Sequence, residues 1–265
     1  MKILILGEII GRPGRQVVSK ILPGLRKKYK PDLIIANGEH LAGGRGVSAR
    51  KISEMQTIGI DFFTSGNHIW GRKEFIDELE DNKIAVLRPA NYPSSVPGKG
   101  YQILEVKKQK ILLINLIGRV YFPIHFDSPF EIVDKIIKKQ GKNAKIIIVD
   151  FHAEATSEKV ALGKYLDGRV SVLFGTHTHV ATSDHQILPK GEVYVTDIGM
   201  IGPSDSVLGA DYQEIINHFL TQMPWRYRLA SGPCIFNALV VDIDNKTGQA
   251  KKIEKIEKIV KNLDK

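Results

Sequence analysis

The stretch Val170-Ser171-Val172-Leu173-Phe174-Gly175-Thr176-His177-Thr178-His179 joins an apolar run of strand length to a pair of imidazoles. Four other places in the chain repeat this design. Glu8 follows the run 3–7, Glu39-His40 follows 33–38, Asn67-His68 follows 62–66, and His152 follows 146–151. In an open α/β sheet the carboxyl ends of parallel strands face one crevice, so donors far apart in sequence converge there. Five of the eight histidines stand at these positions. A lone strand-end histidine is ordinarily a hydrogen-bonded structural residue. Five of them, together with two glutamates and an asparagine, predict a metal centre.

Segments of helical period separate the apolar runs, as expected of parallel strands joined by crossover helices. Pro13, Val17, Val18, Ile21 and Leu22 recur at helical spacing, with the proline in the first turn where its missing N–H costs nothing. Ser48 caps a predicted helix through Met55, and further helices are expected over 128–140 and 211–222. Strands are expected at 2–7, 33–36, 61–64, 84–87, 111–116, 146–151, 170–174 and 193–196. Residues 101–106 and 110–115 flank the turn Lys107-Lys108-Gln109 and read as an antiparallel pair, so the sheet is mixed. Residues 236–243 lead through Asp244-Asn245-Lys246-Thr247-Gly248 into a tail that supports two readings. Ile253, Ile256, Val260 and Leu263 suit a helix, whereas the preceding turn suits a returning strand.

A chain of 265 residues that is 43% hydrophobic and 25% charged can bury a sizeable core, which excludes a disordered tail protein. The single cysteine, Cys234, excludes an internal disulfide and a thiolate metal site, and it suits a reducing compartment. The apolar start of the chain resembles a signal peptide, but Glu8 interrupts it and a first strand fits better. No stretch reaches the roughly 20 apolar residues of a membrane span. A soluble cytoplasmic protein with no membrane contact is expected. The formal charge of +9 favours anionic partners, although the one dense basic run, 251–265, is interleaved with Glu254, Glu257 and Asp264. No repeat or linker marks a boundary, so residues 1–265 read as a single domain. The first strand is followed by no Gly-x-Gly-x-x-Gly fingerprint, which sets aside a dinucleotide-binding domain.

The strand-end donors outnumber the four or so that a single zinc-like ion takes, so two metals are expected. A carboxylate such as Glu39 can bridge cations about 3.5 to 4 Å apart that share an activated water. Imidazole and carboxylate donors without thiolates suit Fe, Mn or Zn better than Ca or Mg.

Gly66-Asn67-His68, the strand-end His152 and Gly175-Thr176-His177-Thr178-His179 resemble the motifs of the calcineurin-like metallophosphoesterases. Gly11-Arg12-Pro13-Gly14-Arg15, Asn37-Gly38-Glu39, Arg88-Pro89-Ala90-Asn91, Asp150-Phe151-His152-Ala153-Glu154-Ala155-Thr156-Ser157-Glu158 and Thr196-Asp197-Ile198-Gly199-Met200 are similar to the bacterial YmdB-like branch. The resemblance spans nearly the whole chain. It implies a four-layer α/β/β/α sandwich with mixed sheets, and a phosphodiesterase of two divalent or mixed-valence metal ions, Fe or Mn before Zn. The implied substrates are cyclic nucleotides, foremost 2',3'-cyclic nucleotides opened to 3'-nucleotides, with 3',5'-cyclic AMP as a further one.

Carried over by position, the resemblance makes Glu39 the bridge, puts Asn67, His152 and His177 on one metal, and puts Glu8, His40 and His179 on the other. His68 stands beside the cluster as proton donor. The branch usually carries Asp and Asn where this chain has Glu8 and His40. The expectation is that His40 supplies an imidazole nitrogen and Glu8 remains a ligand. The implied chemistry is in-line attack by a metal-bridging hydroxide, with His68 protonating the departing ribose oxygen. The resemblance also favours a homo-oligomer.

Arg12, Arg15 and the loop Gly43-Gly44-Arg45-Gly46 are candidates for the pocket rim, although a simple tight turn explains such glycines equally well. Tyr121, Phe122, Phe126 and Phe130 are candidates to stack on a base, against the alternative of core packing or an oligomer contact. Two rival functions remain at this point. One is a broad metallonuclease or phosphomonoesterase; the other is a non-catalytic, metal-bound regulatory protein that binds RNA or a protein partner.

Overall fold

The computed structural model describes residues 1–81 and 83–261. The first half runs β1 (Lys2–Ile9), α1 (Gly11–Tyr29), β2 (Leu33–Asn37), α2 (Ala49–Ile58), β3 (Phe62–Thr64), α3 (Lys73–Glu78), β4 (Tyr101–Val106), β5 (Gln109–Ile117) and α4 (Pro129–Gln140). The second half runs β6 (Ile146–His152), α5 (Thr156–Leu166), β7 (Val172–Thr176), β8 (Gln186–Ile187), β9 (Val193–Val195), β10 (Met200–Pro203), α6 (Tyr212–Thr221), β11 (Cys234–Ile243) and β12 (Ala250–Val260). They form two six-stranded mixed sheets, ordered β12-β11-β10-β1-β2-β3 and β4-β5-β6-β7-β9-β8.

Alternation along the strands explains the layers, because neighbouring side chains point to opposite faces of a sheet. Ile3, Ile5, Leu33 and Ile35 of the first sheet pack against Ile111, Leu113, Ile146, Ile148, Val172 and Phe174 of the second. The alternate positions Leu4, Leu6 and Ile34 turn outward onto Val17, Val18 and Leu22 of α1 and onto Ile52 and Met55 of α2. On the far side, Leu112, Ile114, Ile147 and Val149 meet Val133 and Ile136 of α4 and Leu162 and Leu166 of α5. Three apolar interfaces therefore separate four layers, α/β/β/α, as expected. Both faces of each central strand are covered, which is why those strands read as mainly apolar runs.

Several local expectations change. The strand expected at 84–87 shrinks to one bridge between Val86 and Phe63, with Phe63 N–H donating to the Ala85 carbonyl and Leu87 N–H to the Phe63 carbonyl. Its partner β3 is only three residues long, and Pro89 beyond it has no N–H to extend the ladder. The strand expected at 170–174 instead runs Val172–Thr176, up to the first imidazole of the His-x-His pair. Ser48 occupies the position before α2, but its side chain makes no capping bond.

The tail takes the strand reading, with β12 antiparallel to β11 from Cys234↔Val260 to Ile243↔Ala250. The helix-like spacing comes from the two faces of one strand, since Ile256 and Val260 pack outward and Ile253 inward. Leu263, also counted toward the helix reading, lies outside the described residues. No helix among the described residues is long and apolar enough to cross a membrane.

Candidate metal centre

Position 8 of β1 shares the parity of Leu4 and Leu6, so a regular strand would aim it outward at the helices. The pairing of β1 with β2 skips a residue between Leu6↔Ala36 and Glu8↔Asn37. This bulge at Gly7 reverses the alternation and turns Glu8 inward, while Ile9 takes the outward place. Gly7 is required there, because a Cβ would drive into the Gly199 carbonyl oxygen. Glu39 and His40 follow β2, Asn67 and His68 begin a short 3-10 turn after β3, His152 ends β6, and His177 and His179 follow β7. All eight candidate residues stand at one end of the sandwich, and the contacts below join them into one cluster.

Two carboxylates form the middle. Glu8 is buried, and its Oε1 lies 3.2 Å from His40 Nε2 and 3.0 Å from His179 Nε2. Glu39 is fully buried, with Oε1 accepting from the His68 backbone N–H at 2.7 Å. Its Oε2 accepts no hydrogen bond although His152 Nε2 is 3.1 Å away. His152 Nε2 is also 3.3 Å from Asn67 Oδ1 and 3.0 Å from His177 Nδ1. His68 enters through its ring as well: Glu39, His40 and His68 offer donor atoms close enough to share an ion, as do Glu8, His40 and His179.

The outer hydrogen bonds decide which ring nitrogens face inward. His40 Nδ1 meets the Gly44 carbonyl at 2.5 Å and His179 Nδ1 the Leu208 carbonyl at 3.0 Å. A carbonyl only accepts, so each Nδ1 carries a proton and each ring turns its Nε2 toward Glu8. His152 obeys the same logic one step further out. Its Nδ1 donates to Thr176 Oγ1 at 3.0 Å, and the Thr176 hydroxyl donates on to Asp150 Oδ1 at 2.8 Å. His177 is oriented by Glu154, 3.1 Å from its Nε2. Imidazoles held by second groups and turned on buried carboxylates are the usual surroundings of a metal. Space is kept for it as well, since a Cβ on Gly66 would drive into Glu39 Oε2 and His152 Nε2. The donor set therefore fits metal ions of the Fe, Mn or Zn kind.

Charges in the cluster follow from burial. Burial pushes the Glu39 carboxyl well above its usual range, and the neighbouring Glu8 charge adds to the rise. Burial works against the Glu8 charge too, but His179 and His40 beside it carry that carboxyl well below its usual value. His152, His40 and His177 are lowered by burial, whereas Glu8 overcomes burial at His179 and lifts it to about 9. Burial, His40 and Arg45 hold His68 down to about 4. Two positively charged ions would relieve the repulsion between Glu8 and Glu39.

Residues from the quoted motifs, given no role by the sequence, support these side chains. Asp150 is fully buried and accepts from Asn37 Nδ2 at 2.9 Å, from Thr176 and from the Thr64 hydroxyl, tying four strands together beneath the centre. Burial pushes its carboxyl up to about 7. Asp197 accepts from Lys159 Nζ at 2.8 Å and from Thr178 N and Oγ1 at 3.1 and 2.8 Å. This pair pins the residue between His177 and His179, whose φ values of 96° and 64° cost about 1–3 kcal/mol each without such support.

The rim candidates separate. Arg15 donates to the Leu41 carbonyl at 2.6 Å and pairs with Glu54 at 3.3 Å, so it fastens α1 to its surroundings, while Arg12 is exposed. In the loop 43–46, the Gly44 carbonyl holds His40 and the Arg45 charge reaches His68. Among the aromatics, Phe126 is buried, Phe130 packs on Tyr165, and Tyr121 is exposed. Phe122 alone meets the centre, with its ring centroid 5.0 Å from that of His177.

Two facing sheets with nitrogen and oxygen donors at the carboxyl ends of their parallel strands are the fold and site of a metallophosphoesterase, a class of phosphoester hydrolases. Within that class the chain belongs to the YmdB-like family, described as "YmdB-like protein", whose sequence profile matches residues 4–256. It is 45% identical over 256 residues to a 2',3'-cyclic-nucleotide 2'-phosphodiesterase of Bacillus subtilis (strain 168), covering 97% of this chain and 96% of that one. The crystal structure of a novel phosphatase from Mycoplasma pneumoniae superposes with a TM-score of 0.93 at 33% identity, over 99% of this chain and 94% of that chain. A hypothetical protein from Thermus thermophilus superposes with a TM-score of 0.90 at 38% identity, over 98% and 99% of the two chains.

Proposed function

We propose that this chain is a metal-dependent phosphodiesterase that opens 2',3'-cyclic nucleotides at the 2' oxygen and releases 3'-nucleotides, with 3',5'-cyclic AMP as a second substrate. The observation that carries this reading is the set of imidazole nitrogens turned on two buried glutamates, in a chain 45% identical to an enzyme named for that reaction. Glu39 is assigned as the bridge between two ions. Asn67, His152 and His177 complete one site, and Glu8, His40 and His179 the other. When bound, the ions supply charge neutralisation for the phosphodiester and activation of water near neutral pH.

The chain's own groups do the rest. Glu39 is held by the His68 backbone N–H, so the same residue that orients the bridge places an imidazole beside it. That imidazole is assigned to protonate the departing 2' oxygen as general acid. Its proton is disfavoured in the free centre, and the negative phosphate of a bound substrate opposes that effect. Arg45 adds a positive charge on the His68 side that attracts the phosphate. In this reading the protein works in the cytoplasm as a homo-oligomer, and molar mass by light scattering tests the second point.

The decisive experiment is hydrolysis of 2',3'-cyclic AMP by the wild type and by Glu39→Gln, both reconstituted with Mn, with the 2'- and 3'-monophosphates separated. Metal-dependent release of 3'-AMP by the wild type alone is expected. Release of inorganic phosphate from 3'-AMP at a higher rate would replace this reading by a phosphomonoesterase. No turnover by either protein would replace it by a metal-bound regulatory role.

A further inference from the structure

Gly118 to Ser128 connects β5 to α4 beside the centre, where Phe122 meets His177, and it is clamped at both ends. At its start, the Glu158 carboxylate accepts from the backbone N–H groups of Arg119 at 3.0 Å and Val120 at 3.2 Å. Asn91 is fully buried and spans the loop's base, donating from Nδ2 to the Ile117 carbonyl at 2.7 Å and to the Asp127 carbonyl at 3.0 Å. Asn91 also accepts from Ile117 N–H at its Oδ1 and from Asp127 N–H at its backbone carbonyl. Both Asn91 and Glu158 belong to the quoted motifs, and neither touches the metal-ligand candidates in the contacts described above.

The clamped loop presents one ring to the centre. Phe122 is half-buried, 5.0 Å from His177 and tilted by 41° to it. Behind it Phe126 packs edge-on at 5.8 Å, and Tyr92 packs on Phe126 at 4.8 Å. Trp70, two residues beyond His68, packs on Tyr92 at 5.5 Å. An aromatic wall thus runs along one side of the centre, from His177 to the 3-10 turn that carries His68. Phe126 is buried, whereas Phe122, Tyr92 and Trp70 keep accessible surface, and of these Phe122 is the ring in contact with a candidate ligand. A ring packed on Phe126 and carried by a loop fixed at both ends is partly preorganised for stacking, which lowers the freedom lost when a flat ligand settles on it.

We propose that Phe122 is a specificity-determining residue that stacks on the nucleobase of the substrate, held in place by the Asn91 and Glu158 clamps. The inference rests on the phosphodiesterase reading above, because it takes the phosphate to sit at the metal centre, one sugar away from the base. Stacking tolerates every base, since each offers a π-face, so the platform selects nucleotides over other phosphodiesters without choosing among them.

The test compares 2',3'-cyclic AMP with ribose 2',3'-cyclic phosphate, which has the same reacting ring and no base. Phe122→Ala is expected to lower kcat/KM for the nucleotide by a factor about ten times larger than for the sugar, mainly through KM, and Phe122→Trp to restore it. Independently of turnover, the adenine protons of 3'-AMP bound to the zinc-loaded wild type should shift upfield in NMR through ring current, and Phe122→Ala should abolish that shift. Equal losses on both substrates, or an unshifted adenine, would overturn the platform while leaving the phosphodiesterase intact. A wild type that hydrolyses neither cyclic phosphate overturns the underlying reading itself.

Discussion

Glu192 and Asp197 stand at opposite ends of the same short strand, β9, and both are buried. Asp197, at the carboxyl end, is surrounded by donors: Lys159 Nζ, the Thr178 amide and hydroxyl, and the Gly199 amide at 2.8 Å. Glu192, at the amino end, has no hydrogen-bond partner for either carboxylate oxygen. Burial pushes its carboxyl up to about 9, with the Asp167 charge adding to the rise and Lys164 opposing it. The difference teaches where this chain places its polar resources. At the crevice end, burial of charge comes with partners that shape a site; at the other end it yields a neutral acid.

The largest expected effect falls at the crevice. Glu39→Gln removes the assigned bridge, and Mn-dependent hydrolysis should fall about 1,000-fold or more, with metal per chain falling in parallel by elemental analysis. The metal-free variant should unfold at higher denaturant than the metal-free wild type, because the buried carboxyl and its repulsion with Glu8 are both gone. Retained metal and activity would remove Glu39 from the centre.

Next comes Lys159→Met, which leaves Asp197 buried without its cation. A loss of about 3–5 kcal/mol in denaturant unfolding is expected. A loss below about 1 kcal/mol would show that the Thr178 and Gly199 donors suffice, and the two ends of β9 would differ less than their geometry implies.

Glu192→Gln should act in the opposite direction and depend on pH. The folded carboxyl titrates at about 9, above its unfolded value, so the wild type holds its full stability below about 4.5 and loses it as pH rises through 9. The amide does not titrate. Its stability relative to the wild type should therefore climb by about 3 kcal/mol or more between pH 5 and pH 9, read from urea midpoints. A flat difference would mean that Glu192 is ionised and paired.

Asp211→Ala sets the scale for a carboxylate that is not buried. Asp211 caps α6 by accepting from Gln213 N–H at 2.9 Å and Glu214 N–H at 3.4 Å, and its loss should cost about 1 kcal/mol. Ser48, which makes no such bond at α2, should cost only a few tenths when changed to Ala.

Much of the fold was legible because both faces of the central strands are covered. The runs at β1, β2, β6 and β7 are mainly apolar until the donor arrives, and their ends coincide with the crevice. Short elements were less legible. The segment 84–87 has strand composition but only one bridge, since β3 offers it no more length. The tail's 253, 256 and 260 mimic a helical period because two covered faces of a strand sum to nearly the same spacing. At the centre, the eight candidate residues could be read from position, whereas the supporting Asp150, Thr176, Glu154, Lys159 and Asp197 could not. Thr176 meets His152 24 residues away and Asp197 meets Lys159 38 residues away, and only their contacts reveal what they do.

By itself the sequence determined the α/β class, the strand-end placement of every candidate donor, and the lack of a second cysteine to pair with Cys234. It did so because apolar runs, turn residues and donor types are local properties. Only the tertiary structure decided that Glu8 faces inward, since a one-residue bulge reverses the alternation of a strand. Only it decided which nitrogen of His40, His152, His177 and His179 faces the centre, since two carbonyls, a hydroxyl and a carboxylate take the other one. It also distinguished Phe122 from its aromatic neighbours, because whether a ring is core or rim depends on what packs behind it.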